Sequence, residues 1–460
     1  MGKTFIMLGI ESSCDETAAA IVREDGTVMA SHIASQMDIH ASHGGVVPEI
    51  AARAHLDSID IVITAALQDA GIGMDDIDGV AATGGPGLIG GVVVGTVTAK
   101  AIASARSLPY FAVNHLEGHA LSARLVDKVA FPYLLLLVSG GHTQLLAVHG
   151  PGMYERYGTT MDDAAGEAFD KSAKIMGLGY PGGPAIEKLA AQGDAAAIRL
   201  PRPLKGSPHC HFSFSGLKTA VATRHAGLDP DDPAGPANLA ASLQAAIADC
   251  LAERSSRAMA RFAETHGPST LVIAGGVAAN KAIFARLSNA AAAAGFAISV
   301  PPAWLCTDNA AMIAWAAIER RHQPDNMDFA PRPRWPLDPD AAPPPGRGVR
   351  ALPVITKNPR LLLAVAAGDA PSRQPCCRLA HRHSCWSAAP IPQMHWPGGS
   401  AASCQTRLSC HRLMPAPKTA FWIPQALSLS CCRSVPLPIV WNSLPDGWRP
   451  TCRLPCVQRD

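Results

Sequence analysis

The sequence lacks three features that would place it in a membrane or outside the cell. No apolar run approaches the ~20 residues of a membrane span, and the longest, such as Tyr133–Ser139, have the length of a strand. No basic segment followed by an apolar segment and a small-residue cleavage site opens the chain. Cysteine is scarce in residues 1–350, which is typical of free thiols in a reducing compartment. We therefore expect a soluble cytoplasmic protein with no membrane partner.

Residues 351–460 contain no glutamate and differ in composition from the rest of the chain. They hold nine of the 13 cysteines, five of the eight tryptophans, 15 prolines, 12 basic residues and three acidic ones, with no helical or strand periodicity. Their cysteines lack the paired Cys-x2-Cys spacing of a structural zinc site. This composition favours translation of GC-rich DNA out of frame, and the alternative is a disordered tail. An in-frame stop codon after residue 350 in resequenced DNA would support the first hypothesis, and an intact frame would refute it.

The first 350 residues are long enough for two or three domains. They are mildly acidic, with 27 basic and 34 acidic residues. A nucleic-acid partner of such a protein must be met by a local basic patch or by another subunit, because overall charge does not attract it.

Two similar patterns of predicted strands lie about 130 residues apart. In each, a buried apolar strand turns at a polar or glycine-rich tip and returns as a second strand. The repeat predicts an internally duplicated α/β fold with a site between the halves. The predicted strands are Phe5–Ile10, Ala18–Val22, Gly79–Thr83, Tyr110–Val113, Leu134–Val138, Thr143–Val148 and Leu271–Ala274. The predicted helices include Pro48–Ala70, Asp162–Met176 and Trp304–Arg320.

His115 and His119 lie four residues apart in the sequence Asn114-His-Leu-Glu-Gly-His-Ala120. Residues four apart in a helix lie on one face, and two neutral imidazoles at that spacing can bind a divalent first-row metal. Two histidines that merely share a helix face are the alternative. The glycine-rich, carboxylate-bearing loops between Glu11 and Asp308 favour the metal site.

Asp308 is the best candidate for a third, harder ligand. We expect it in the N-cap Thr307-Asp308-Asn309 of the helix Trp304–Arg320, where its carboxylate also meets the helix dipole. Two histidines and one carboxylate leave coordination positions open for a substrate, as in Fe(II) or zinc sites that act on one. A simple helix cap explains an aspartate at this position equally well.

Glycines follow or join predicted strands at four places, namely 84–91, 140–141, 182–183 and 275–276. Backbone N–H groups in such loops can approach phosphate oxygens, although glycines also permit close helix–sheet packing. Four such loops together favour a nucleotide or acyl-phosphate ligand.

The predicted helix Asp162–Met176 contains several charged residues. Asp170 with Lys174, and Glu167 with Lys171, are spaced for ion pairs on a solvated face. Asp170 could instead point at a ribose hydroxyl from the cleft. In a later motif, Lys218 fits either a surface lysine or a contact to phosphate.

Eight motifs occur in one order within residues 5–345. They are Ile10-Glu-Ser-Ser-Cys-Asp-Glu-Thr17, Gly44-Gly-Val-Val-Pro-Glu49, Asn114-His-Leu-Glu-Gly-His119, Val138-Ser-Gly-Gly-His-Thr-Gln144, Gly166-Glu-Ala-Phe-Asp-Lys171, Tyr180-Pro-Gly-Gly183, Phe212-Ser-Phe-Ser-Gly-Leu-Lys218 and Gly275-Gly-Val-Ala-Ala-Asn280. In this order the chain resembles the bacterial tRNA N6-adenosine threonylcarbamoyltransferases, the catalytic subunits of the threonylcarbamoyladenosine pathway. The tail beyond Arg350 has no counterpart in the resemblance.

The resemblance implies an α/β protein of the actin/Hsp70/sugar-kinase (ASKHA) fold, with two ribonuclease-H-like lobes around a nucleotide cleft. It implies transfer of the threonylcarbamoyl group from threonylcarbamoyl-AMP to N6 of adenosine 37, in tRNAs that read codons beginning with adenine. It also implies one divalent metal per subunit, Fe(II) with zinc as the alternative, bound by the catalytic residues His115, His119 and Asp308. The implied substrate-binding residues are Val138, Ser139, Gly140, Gly141, His142, Asp170, Gly183, Glu187 and Asn280.

The same resemblance implies the partners and the division into domains. The partners are tRNA, threonylcarbamoyl-AMP, a smaller paralogous subunit and a P-loop ATPase. The expected domains are a first lobe at 1–130 completed by a helix at 304–322, a second lobe with the adenylate pocket at 131–303, a proline-rich extension at 323–350 and the tail at 351–460.

Four other functions fit parts of the sequence. A zinc peptidase of the His-Glu-x-x-His type needs a glutamate directly after the first histidine, but Leu116 stands there and Glu117 lies ~100° further round the helix. A kinase of the same fold needs a catalytic aspartate in place of the metal ligands. A carbamoyltransferase acting on a small-molecule hydroxyl shares the fold and the ligands. A non-catalytic scaffold would be favoured by loss of a ligand, and none is lost.

Overall fold

The computed structural model describes residues 3–41 and 45–344. Ten strands in this part of the chain form two five-stranded sheets. The first sheet contains β1 (Ile6–Glu11), β2 (Glu16–Arg23), β3 (Val28–Ser35), β4 (Gly79–Gly85) and β5 (Tyr110–Asn114). The second contains β6 (Tyr133–Val138), β7 (Thr143–Gly150), β8 (Met153–Thr159), β9 (Thr270–Ala274) and β10 (Ala297–Ser299).

The two sheets have the same topology. The strand order is β3-β2-β1-β4-β5 in the first sheet and β8-β7-β6-β9-β10 in the second. In each, the first three strands pair antiparallel, and the last two run parallel to the first. The repeat confirms the internally duplicated α/β fold that the sequence predicts.

Helices cover the sheets and separate them. They are α1 (Met37–Ala41), α2 (Pro48–Ala70), α3 (Ile89–Arg106), α4 (His115–Asp127), α5 (Ala165–Ile175), α6 (Gly182–Ala190), α7 (Ser215–Ala226), α8 (Gly235–His266), α9 (Lys281–Ala293), α10 (Ala303–Cys306) and α11 (Ala310–Glu319), with short 3₁₀ helices at Met74–Asp76 and Gly276–Ala279. None of the helices in residues 3–41 and 45–344 has the length and apolarity needed to span a bilayer.

The central core lies between the sheets, where α4 and α11 pack together. Strand β6 is buried on both faces, as its continuous apolar run predicts, with Leu135 and Leu137 facing this central layer. Helix α11 approaches β1 so closely that a Cβ at Gly9 would clash with the backbone of α11. This packing holds α4 and the start of α11 side by side, and both carry candidate site residues.

Two predicted helices are wrong in their bounds. The helix expected at Asp162–Met176 begins three residues later, as α5. The helix expected at Trp304–Arg320 is broken into α10 and α11 by Thr307, Asp308 and Asn309. The helix expected at Pro48–Ala70 is confirmed as α2. The predicted tail at 351–460 lies outside the described residues.

Candidate metal centre and substrate cleft

The two histidines lie where β5 runs directly into α4. Asn114 caps this helix, because its side-chain oxygen accepts a hydrogen bond from Leu116 N at 3.0 Å. His115 is therefore in the first turn and His119 in the second, on the shared face that their spacing predicts. Both side chains are buried, and their ring centroids lie 4.9 Å apart.

Asp308 faces the two histidines from the break between α10 and α11. The prediction that it lies within an N-cap is wrong in register, because the side chain of Asn309 caps α11 by accepting a hydrogen bond from Met312 N at 2.9 Å. The Asp308 carboxylate is thereby left for the cleft. Its Oδ1 lies 3.2 Å from Nε2 of His119 and 3.4 Å from Nε2 of His115.

The three side chains fit a single metal ion. One candidate ligand atom from each of His115, His119 and Asp308 lies within 4.8 Å of the other two. Two imidazole nitrogens and a carboxylate oxygen form a donor set that suits zinc or Fe(II). The chain thus supplies three candidate ligands, two from α4 and one from the break before α11, and the central core fixes α4 and α11 against each other.

Glu11, at the end of β1, orients the first histidine. Its Oε2 lies 2.9 Å from Nδ1 of His115, so the opposite ring nitrogen faces Asp308. The same carboxylate accepts hydrogen bonds from Ser13 N at 2.6 Å and from the Thr83 hydroxyl at 2.5 Å. A carboxylate behind a metal-binding histidine fixes its tautomer and raises its basicity. His119 has no such group, since its Nδ1 is buried without a hydrogen-bond partner.

The site strongly perturbs the ionisation of its own groups. Burial raises the pKa of Asp308, but the positive His115 and hydrogen bonds from both histidines hold the pKa well below its usual range. Burial lowers the pKa of His115, but Asp308 and Glu11 raise it well above its usual value. A metal ion must therefore displace a proton that His115 holds between two carboxylates. Burial, reinforced by the nearby His115 and His119, lowers the pKa of His142 to about 4, so His142 is neutral at physiological pH.

The last residue of β6 and the loop after it are five of the predicted substrate-binding residues, Val138 to His142. Ser139 and His142 close a tight turn, in which Ser139 N donates to His142 O at 2.8 Å. A Cβ at Gly166, in the first turn of α5, would lie 2.6 Å from Ser139 O. A Cβ at Gly275 would lie 2.5 Å from Val138 O. Two glycines thus allow the start of α5 and the loop after β9 to close against this turn.

The other predicted binding residues lie around α5, α6 and α9. Asp170 Oδ1 accepts a hydrogen bond from Gly182 N at 2.8 Å, next to Gly183. Glu187 Oε1 accepts one from the backbone N–H of Lys281 at 2.8 Å. Asn280 caps α9, and its Nδ2 donates to Gln244 Oε1 at 2.9 Å. The structure therefore links Asp170 to the start of α6, and links Glu187 to the residue after Asn280.

Some charged residues around α5 form ion pairs at the surface, and one of them accepts a hydrogen bond from the backbone. Glu167 and Lys171 form the predicted ion pair at 2.8 Å, whereas Asp170 turns to Gly182 and not to Lys174. The Lys218 ammonium group lies 4.0 Å from an Asp163 carboxylate oxygen and is partly exposed. This position is that of a surface lysine.

The sequence did not predict that Glu117 forms hydrogen bonds between the lobes. Glu117 lies between the two histidines on α4 and is buried. Its Oε1 accepts hydrogen bonds from Gly152 N at 2.7 Å and from the Tyr154 hydroxyl at 2.9 Å, both in the β7–β8 hairpin of the second lobe. The only sequence signal is a glutamate that stands between the apolar Leu116 and the small Gly118.

Sequence reasoning also missed the role of residues 321–344, which we call the strap. Arg332 N donates to Gly84 O at 2.8 Å, and Trp335 O accepts a hydrogen bond from the Asn114 side chain at 2.9 Å. Further on, Asp338 accepts one from Arg156 N in β8 at 2.8 Å. The strap therefore connects the ends of β4 and β5 with the second lobe, although its proline-rich sequence resembles a linker.

Two lobes of one topology, with buried His115 and His119 and the half-buried Asp308 beside the helices between the two sheets, define a two-lobed α/β protein with a candidate metal centre. A family model described as TsaD, tRNA N6-adenosine threonylcarbamoyltransferase, matches residues 27–315. The chain belongs to this family, as its motifs indicate.

Curated relatives agree with the family match. A tRNA N6-adenosine threonylcarbamoyltransferase of Erythrobacter litoralis is 58% identical over 349 residues, which cover 75% of this chain and 99% of the relative. One of Brucella suis is 56% identical over 354 residues, covering 75% of this chain and 98% of the relative. Among solved structures, T. kodakarensis HypF is 13% identical with a TM-score of 0.49, over 70% of this chain and 48% of that one.

Proposed function

We propose that this chain transfers the threonylcarbamoyl group of threonylcarbamoyl-AMP to N6 of adenosine 37 in tRNAs that read codons beginning with adenine. In this reaction the amine forms a bond to the carbonyl carbon, the bond from that carbon to the phosphate oxygen breaks, and AMP leaves while N6 loses a proton. The observation that carries the proposal is the 56–58% identity to threonylcarbamoyltransferases over 98–99% of their length. The converging His-His-Asp group supports it.

We propose that His115, His119 and Asp308 hold one divalent metal, Fe(II) in preference to zinc, and are catalytic through it. A bound metal of this kind supplies Lewis acidity that polarises a carbonyl and stabilises a developing oxyanion. Glu11 supports this role, since it fixes the ring that would carry the metal at Nε2. Neutral His142, beside both histidines, adds no positive charge that would oppose the metal.

We propose that the adenylate part of the donor binds against the second lobe. Val138, Ser139, Gly140, Gly141 and His142 would line it, because the glycines of this turn leave backbone N–H groups open to phosphate oxygens. Asp170, Gly183, Glu187 and Asn280 would complete the pocket. Burial raises the pKa of Asp170, and hydrogen bonds from Gly182 and Gly183 lower it again only in part. A partly buried acceptor of this kind suits a ribose hydroxyl.

One rival function is disfavoured by a contact. In a peptidase of the His-Glu-x-x-His type the glutamate acts as general base beside the metal. Glu117, the nearest glutamate on α4, instead points to the second lobe and is occupied by Gly152 and Tyr154. A carbamoyltransferase for a small-molecule hydroxyl remains as the alternative, because it would use the same fold and the same ligands.

The remaining assignments follow from the family and are proposals for this chain. We propose a cytoplasmic enzyme that works with a smaller paralogous subunit and a P-loop ATPase. We also propose a first lobe at 1–130 completed by 304–322, a second lobe at 131–303 and an extension at 323–350. Helix α11 packing against β1 and α4 supports its assignment to the first lobe.

Complementation in cells tests the function. Cells depleted of their own enzyme receive the full 460-residue chain, and their tRNA nucleosides are analysed by mass spectrometry. We expect N6-threonylcarbamoyladenosine to return with the unchanged chain and with the control Asp340→Ala, which alters an exposed carboxylate. We expect no product with Asp308→Ala. If the modified nucleoside stays absent with a well-expressed unchanged chain, the proposal is wrong.

A further inference from the structure

Two exposed arginines of the strap stand beside a pair of aromatic rings. The guanidinium carbon of Arg332 lies 4.9 Å from the ring centroids of both Phe329 and Trp335, and the two centroids are 5.4 Å apart. Arg334, next to Trp335, is exposed as well. We call Phe329, Arg332, Arg334 and Trp335 the arginine platform.

The two guanidinium groups of the arginine platform contact no carboxylate in the described part of the chain. Earlier arginines of this region are paired, since Arg320 binds Asp325 at 2.9 Å and Arg321 binds Glu24 at 3.3 Å. Arg332 and Arg334 form no ion pair with any residue in 3–41 or 45–344. Because residues 1–350 are acidic overall, such charge is what a polyanion would need locally.

The platform borders the candidate metal centre. Trp335 O accepts a hydrogen bond from Asn114, the residue directly before the ligand His115. On the other side, Pro333 O accepts one from Gly87 N at 3.3 Å, and the next residue, Leu88, donates to Ser13 O at 2.7 Å. The Ser13 hydroxyl lies 3.2 Å from Nδ1 of His115. Backbone atoms of the strap are thus connected through Asn114 and Ser13 to the candidate ligand His115, and these contacts do not use the side chains of Arg332 and Arg334.

We propose that the arginine platform binds the RNA strand next to the adenosine that is modified, and this inference rests on the proposed function. Guanidinium groups bind phosphate with fixed geometry, and aromatic rings with stacked arginine accept unpaired bases regardless of their sequence. A nucleotide whose N6 enters the metal centre has its neighbours at the rim, where the platform lies. The alternative is that the arginine platform binds a protein, which would cover this rim.

Substitution of both arginines tests the platform in the full 460-residue chain with its partner subunits. Arg332→Gln with Arg334→Gln removes both charges and leaves the backbone contacts of the strap in place. We expect the Kd and the KM for tRNA to rise about tenfold, and the slope of log Kd against log salt to fall by about 1.4, from ~0.7 per single-strand phosphate. We expect kcat at saturating tRNA to change by less than about twofold, because the reacting groups are untouched.

Two further variants distinguish local contact from bulk charge. Arg199→Gln with Arg224→Gln removes two exposed arginines of the second lobe that form no ion pair with a described residue, and we expect the tRNA KM to stay unchanged. Arg332→Lys with Arg334→Lys keeps the charge, and we expect most of the salt slope to return. If Arg332→Gln with Arg334→Gln changes the KM for tRNA no more than the control pair does, the proposal is wrong.

The remaining outcomes are separable. If the platform variant loses binding of the P-loop ATPase subunit while its Kd for tRNA stays unchanged, the platform docks a protein and the proposal is wrong. If the unchanged chain binds tRNA but makes no product, the proposed function fails. In that case, the effect of the arginine substitutions on the Kd for tRNA still shows whether the arginine platform binds RNA.

Discussion

The carboxylate of Glu11 lies 2.9 Å from Nδ1 of His115, which places a buried acid directly behind the first candidate metal ligand. The two residues are 104 positions apart, and the parallel pairing of β1, β4 and β5 brings them together. The candidate metal centre therefore extends beyond its three ligands to the end of the central strand of the first lobe.

Glu11→Gln tests this second layer of the site. Without the carboxylate, the tautomer and basicity of His115 are less well fixed, and we expect metal affinity to fall by about 10–100-fold. Competition with a chelator of known affinity measures the effect, and circular dichroism verifies that the fold is retained. An affinity equal to that of the unchanged chain would show that Glu11 does not act on the metal.

Substitutions at the adjacent residues Asp308 and Asn309 are expected to have different effects, one on metal binding and one on stability. Asn309→Ala removes the cap of α11, and we expect a loss of ~1 kcal/mol in the free energy of unfolding with metal still bound. Asp308→Ala removes a ligand and leaves the cap of α11 in place, and we expect loss of the bound metal. Urea unfolding and metal analysis of both variants measure the two effects, and the reverse pattern would contradict the register described.

Asp162 predicts a pH dependence of stability. Burial raises its pKa, but hydrogen bonds from Ser213, Phe214 and Ser215 outweigh burial and hold the pKa below its usual value. The stability from these bonds is therefore present above about pH 3.8 and is lost as the pH falls through the lower folded pKa. We expect the stability gap between the unchanged chain and Asp162→Asn to be constant near pH 6 and to shrink toward pH 3. Urea unfolding across this range measures the gap, and a gap that widens in acid would contradict the account.

Glu117 and Tyr154 should show energetic coupling across the lobes. Glu117→Gln weakens a buried, doubly bonded acceptor, and we expect a cost of about 1–3 kcal/mol. Tyr154→Phe removes one hydroxyl, and we expect ~1 kcal/mol. A double-mutant cycle by urea unfolding is expected to give a coupling above about 0.5 kcal/mol, and additive effects would show that the contact contributes nothing to the tie.

The sequence predicts those parts of the site that depend on local periodicity. His115 and His119 share a helix face because 3.6 residues complete a turn, and this holds whatever packs around the helix. The two strand–turn–strand patterns are likewise local, and they suffice for the duplicated fold. The repeat also predicts a site between the halves, and the candidate ligands lie beside α4 and α11, the helices of the layer between the two sheets.

The sequence does not predict contacts between residues that are far apart along the chain. Asp308 and Asn309 are both good capping residues, so their register could not be chosen without the histidines that attract Asp308. Asp162 looks like part of a helix, but its partners lie 51 to 53 residues later. The strap resembles a linker, because its partners lie far earlier in the chain: the Asn114 side chain that donates to Trp335 O is 221 residues earlier, and the Arg156 N–H that donates to Asp338 is 182 residues earlier.

Metal titration during transfer tests the central claim most directly. Metal-free chain, with its partner subunits, is supplied with threonylcarbamoyl-AMP, tRNA and increasing Fe(II), and N6-threonylcarbamoyladenosine is measured by mass spectrometry. The account predicts that product formation rises until one metal is bound per chain, and that Asp308→Ala forms none at any metal concentration. Full turnover by the metal-free chain, or by Asp308→Ala, would contradict it.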